Sequence, residues 1–162
     1  MSKLWKKAVF CLLPVLLFLF SGCGTQEEEE SGQAFEVYYL NREETAISSE
    51  TVYLDESLTQ DEQISALLTA LQTAPEDVSL KASAGTSFQI NNYLVDEGQL
   101  NIDVDESYRK LPATTEVLVR ASLVRTLVQV DEINHVLMTV AGQSLMDSSG
   151  TAVGPMTADT FI

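Results

Sequence analysis

Cysteine is nearly missing from this sequence: Cys11 and Cys23 are the two, and both lie within the first 23 positions. Nothing after them can be held by a disulfide framework or a cysteine-based metal set, so the core must hold by packing alone. Histidine occurs once, as His135, which leaves a single candidate base for a Ser–His–acid triad. No serine sits in a Gly-x-Ser-x-Gly elbow, because Gly142-Gln143-Ser144-Leu145-Met146 lacks the final glycine. Glycine-rich phosphate loops are absent too, and Gly85-Thr86 reads as a turn. Positive charge is the scarcest commodity. Of nine basic residues, Lys3, Lys6 and Lys7 precede Cys23, leaving six against 24 acids, a formal charge of −18 for the rest of the chain. Such a surface repels phosphate backbones and anionic headgroups, so no nucleic-acid partner and no polybasic membrane contact are expected.

Long apolar runs are also few. The one present spans Ala8 to Phe20, thirteen residues behind the three lysines and interrupted by Pro14. That is short for a membrane span and has the length of a signal-peptide core. It ends in Phe20-Ser21-Gly22-Cys23, which resembles a bacterial lipobox. Residues 1–22 are therefore expected to be a lipoprotein signal peptide, and Cys23 to take a diacylglyceryl group. Two or three acyl chains make a stable anchor where one is marginal. The expected location is the outer, extracytoplasmic face of the cell membrane. Residues 23–34, with Glu27 to Glu30, read as an acidic, self-repelling tether.

The expected domain runs over residues 35–146. Glu36-Val37-Tyr38-Tyr39-Leu40 has the β-branched and aromatic content of a buried strand, and residues 50–54 lie beside it. Thr59-Gln60-Asp61-Glu62 is a capping-box pattern, followed by Ile64, Leu67, Leu68 and Leu71 on one helical stripe and by Pro75 as a stop. Phe88 to Val95 and Leu100 to Val104 predict a hairpin turning at Asp96-Glu97-Gly98, with a bulge at Asn91-Asn92. A second helix begins near Thr114 or Thr115, its apolar face made of Val117, Leu118, Ala121, Val124, Leu127 and Val128. Residues 134–141 form a last strand turned by Gly142-Gln143, and Leu145-Met146 adds a short return. Residues 147–162 read as a loosely ordered tail. The class is α+β: a small antiparallel or mixed sheet with two helices packed on one face.

Chemistry-bearing candidates are few. Asp103-Val104-Asp105-Glu106-Ser107 opens like a calcium loop, but Tyr108 and Thr114 stand where glycine and an acid are needed. Strand alternation assigns Asp103 and Asp105 to the wet face instead. A lone His135 at a strand edge reads as a surface residue. No catalytic residue, cofactor or metal site is expected.

Val37-Tyr38-Tyr39, Leu67-Leu68 with Leu71, Gly85-Thr86, Leu100 to Asp105 with Ser107, and Leu123 to Leu127 before Val136–Val140 and Gly142-Gln143 together resemble the GerMN domain. The resemblance covers about Phe35 to Ser144, room for one copy. It implies a small α+β module similar to ring-building domains, without known catalytic residues, in exported lipoproteins that act in sporulation and spore germination. The function expected is a non-catalytic interaction module meeting another envelope protein by a sheet edge or helix face. Two alternatives remain: an envelope ligand or glycan binder, which needs a pocket lined by Tyr38, Tyr39, Tyr93 and Tyr108, and a hydrolase using facing carboxylates.

Overall fold

The computed structural model describes residues 32–161; Cys23 and the expected signal peptide lie outside them. Strand β1 (Gln33–Asn41) forms an antiparallel hairpin with β2 (Ile47–Leu54), in unbroken register from Gln33 opposite Leu54 to Leu40 opposite Ile47. Strand β1 thus includes Gln33 and Ala34, the last two residues of the stretch expected to be tether, because both have partners across the hairpin. A two-residue strand β3 (Leu80–Lys81) joins the far side of β1 at its end. Strands β4 (Ile90–Asp96) and β5 (Gln99–Val104) make the expected hairpin, with the register shift falling between Ile90 and Asn92. Its two-residue turn has positive φ at both Glu97 and Gly98, the geometry that matches strand twist. Strand β6 (His135–Val140) runs parallel to β5, and the two-residue β7 (Gln143–Ser144) folds back on β6.

The α+β class holds, and its strands divide into two sheets, ordered β2-β1-β3 and β4-β5-β6-β7. Helix α1 (Gln60–Gln72) starts on the capping box: the Thr59 hydroxyl and the Glu62 carboxylate each bond the other's backbone N–H. Its leucine stripe is buried as expected, alongside Phe35, Val37 and Tyr39 of β1 and Leu100, Ile102 and Val104 of β5. These residues form one continuous apolar cluster, each large side chain worth about 1.5–3 kcal/mol on burial.

Helix α2 (Ala113–Leu127) provides the crossover that a parallel β5–β6 pair requires. Its buried face differs from the periodic reading. Val117 is 45% exposed, whereas Val119, Leu123 and the polar Thr115, Ser122 and Thr126 are buried. The helix is flanked by β1 as well as β6, so its buried arc is wide, and the part against a strand edge carries hydroxyls rather than alkyl groups.

The expectation of a loosely ordered tail also needs correction. Met156 exchanges both backbone hydrogen bonds with Val136, at 2.8 and 2.9 Å, and is buried. Ala152 bridges Met146, and Phe161 packs on the core from a short 3-10 turn. Two-residue β7 reaches only Thr139 and Val140 of the β6 edge, and Met156 pairs with the same edge at Val136.

Candidate functional site

The acids singled out by the calcium-like pattern are spent on structure. Asp103 accepts from the Asn91 side chain at 2.9 Å, the Thr139 hydroxyl at 2.7 Å and the Gly142 N–H at 2.7 Å. Partial burial pushes its carboxyl up, but those three donors outweigh it and hold the group below the usual carboxylate range. One side chain thereby ties β4, β5, β6 and the turn after β6. Asp105 caps the 3-10 turn at Glu106–Lys110 through the Ser107 N–H. Among the described residues no group of three metal-ligating side chains is gathered. His135 opens β6 opposite Gln99, half-buried.

The tyrosines do not converge. Tyr39 and Tyr108 are buried. Tyr38 lies under Arg125, whose guanidinium carbon is 4.9 Å from the ring centre, and Tyr93 bonds Asp61 on α1. Tyr108 packs edge-on to Phe88 with centroids 5.1 Å apart. Among the described residues its hydroxyl has no hydrogen-bond partner, and burial, aided by nearby Glu116, pushes the phenol upward. The aromatic-lined pocket that a glycan or small-ligand binder needs is not formed by these four.

What the fold does build is a sealed strand edge. In β1, the backbone groups of Glu36 and Tyr38 point away from β2, towards α2. There the Gln129 amide bonds both the N–H (2.9 Å) and the C=O (2.7 Å) of Glu36, as a neighbouring strand would. The Thr126 hydroxyl accepts the Tyr38 N–H at 2.9 Å, and the Ser122 and Ser83 hydroxyls donate to the Tyr38 carbonyl. Leu40 is then taken up by Lys81 of β3. Periodicity missed these residues because a serine or threonine in an apolar helical stripe reads as noise; the signal was hydroxyls recurring at 122 and 126 among buried neighbours.

The adjacent surface is fixed by the β1–β2 turn. Asn41 holds the Thr45 and Ala46 N–H groups, and Glu44 bonds both Lys81 and Thr115. Those bonds lower the Glu44 carboxyl, the Lys81 contact most. An open groove lies between this turn and the first turns of α2, lined by Glu43, Glu44 and Thr45 on one side and by Ala113, Thr114, Val117 and Leu118 on the other. Among the described residues lining that groove, Glu43 and Glu44 are the acids and both come from the same turn, so no carboxylate faces them from α2.

Residues 36–146 match the family model Germane, described as sporulation and spore germination. The chain belongs to this family. Among solved structures, the first GerMN domain of the Bacillus subtilis sporulation protein GerM is similar at 19% identity and a TM-score of 0.60, covering 77% of this chain and 96% of that one. The tandem GerMN domains of the same protein align at 21% identity and a TM-score of 0.57, over 85% of this chain. This chain spans about half (48%) of that tandem structure. A candidate lipoprotein from Clostridium perfringens shares the fold at 18% identity and a TM-score of 0.51, over 78% of this chain and 88% of that one. No curated relative matches the chain. Within this Germane-family domain, no helix among the described residues is long and apolar enough to cross a membrane.

Proposed function

We propose that this Germane-family chain is a lipid-anchored, extracytoplasmic interaction module that serves sporulation or spore germination by contacting another envelope protein. The family match over residues 36–146 carries the reading. The anchor rests on the basic n-region, the thirteen-residue apolar stretch and Cys23 at the end of Phe20-Ser21-Gly22. In this reading residues 1–22 are removed, residues 23–34 link the acylated cysteine to the sheet, and residues 35–146 form the working domain with 147–162 behind it. A non-catalytic role is favoured because the acids and hydroxyls best placed for chemistry are committed to caps, cross-strand ties and the β1 seal.

Mass spectrometry of the mature N-terminus tests the anchor: a diacylglyceryl-modified Cys23 is expected, and an unmodified Cys23 would overturn it. Cys23→Ala should move the protein out of the membrane fraction. Deletion of the gene should impair sporulation or germination; unaltered spore yield and outgrowth would remove the assigned process.

A further inference from the structure

The two sheets have edges of very different character. The β1 edge is sealed by Gln129, Thr126, Ser122 and Ser83. Strands β3 and β7 are two residues long, and Met156 continues the β6 edge beside β7. Strand β4 is interrupted by its bulge. Strand β2 has none of these protections. It runs eight residues in continuous register with β1 and contains no proline, lysine or bulge. Its one edge-blunting device is the charge of Glu50, which turns to the core face opposite Val37 and favours an incoming strand only if that strand brings a compensating positive charge. Because Glu36 and Tyr38 turn their backbone groups away from β2, the residues opposite them, Thr51 and Ser49, turn theirs to the outside. Among the described residues those N–H and C=O groups have no partner.

The side chains along that edge state what would fit. Glu50 sits mid-strand and points to the same face as Val37, receiving the N–H groups of Glu76 and Asp77 at 3.1 and 2.6 Å. Glu36 lies one strand in on the other face, bonded by Thr51. Hydroxyls from Ser49 and Thr51 keep its carboxyl lowered and charged. Towards the far end, Val52, Tyr53 and Leu54 offer half-exposed apolar surface, with Tyr53 at 39%. A second copy is disfavoured, since antiparallel pairing centred on Glu50 would oppose like charges, and each copy carries −18 beyond residue 22.

We propose that the outer edge of β2 accepts, by strand addition, an extended segment of a different protein. That segment carries lysine or arginine at its centre on the face of Glu50, with a basic neighbour on the face of Glu36, and apolar side chains beside Val52 to Leu54. The proposal rests on the interaction-module reading and names the surface and partner class for it.

Site-specific photocrosslinking of the full chain in the membranes of its own cells tests this, with benzoylphenylalanine at Ser49 and, as comparisons, at Leu94 on β4 and Thr69 on α1. The expected result is one product from position 49, whose crosslinked peptide comes from another protein and contains lysine or arginine. Its yield should fall at least tenfold in Thr51→Pro, which removes an outward N–H that β1 does not use. Thr51→Lys, which keeps the backbone intact, should give the same loss and covers the case where the proline variant fails to fold. A product with a second copy, an acidic segment, or a yield indifferent to Thr51→Lys would overturn the assignment. Products at Leu94 or Thr69 but not at Ser49 would overturn the edge alone, while no product at any position would remove the interaction reading with it.

Discussion

Thr126→Val removes one hydroxyl and leaves the side chain's shape almost unchanged. Thr126 is fully buried on α2 and accepts the Tyr38 N–H across 2.9 Å. The valine methyl offers no acceptor, and with Thr126 at 0% exposure water cannot take its place. An unsatisfied donor in such a site costs about 1–3 kcal/mol, and the added methyl returns less than about 1 kcal/mol of apolar burial. The variant should therefore lose about 1–2 kcal/mol, seen as a lower urea midpoint at unchanged slope. Amide exchange at Tyr38 should accelerate at least tenfold under native conditions. Thr69→Val is the matched comparison: its exposed hydroxyl donates to the Ser65 carbonyl within the same helix, and its loss should stay within about 0.5 kcal/mol. Equal midpoints for Thr126→Val and the parent, with Tyr38 still protected, would refute the idea that side chains of α2 stand in for a strand on the β1 edge.

Gly98→Ala should cost more than Gly142→Ala although both glycines have positive φ. A Cβ at Gly98 would meet Asn134 Nδ2 at 2.6 Å and the Glu132 carbonyl at 2.9 Å, whereas Gly142 faces open space; thermal unfolding of the pair separates steric conflict from backbone strain of about 1 kcal/mol. Asp103 titrates lower in the folded chain than in the unfolded one, so its contribution is fully present above the unfolded carboxylate value and is lost as pH falls through the folded value. Asp103→Asn should accordingly flatten the acid side of the stability–pH curve, and an unchanged curve would show that the three donors on Asp103 contribute nothing. Met156→Ala should destabilise the fold by about 2–4 kcal/mol and speed exchange at Val136, as measured by denaturation and hydrogen exchange.

Local signals in the chain were read correctly where short-range physics decides them. The Thr59–Glu62 box, the leucine stripe behind it, the Asp96–Gly98 turn, the Asn91 bulge and the alternation of Leu100, Ile102 and Val104 all depend on residues a few positions apart. The α+β class followed from their order, and the place of Cys23 behind an apolar run needs no fold at all. Misreadings arose where distant segments meet. Ser122 and Thr126 broke the expected apolar stripe because an unpaired strand 84 to 88 positions away needed hydroxyls. The tail was undervalued because its polar composition says nothing of the β6 edge it pairs with.

The sequence by itself determined the two helices and the main strands, the acidic character and the candidate lipid-bearing thiol, since each rests on neighbouring residues or on totals. The short β3, the 3-10 turn at 106–110 and the place of β7 were not legible in it. Only the tertiary structure decided that the strands split into two sheets and that α2 closes one edge of β1. It also decided that Asp103 ties strands together and Asp105 caps a 3-10 turn. The reason is that a backbone N–H left over after one ladder forms must find its acceptor wherever the chain returns, and no local pattern records where that is.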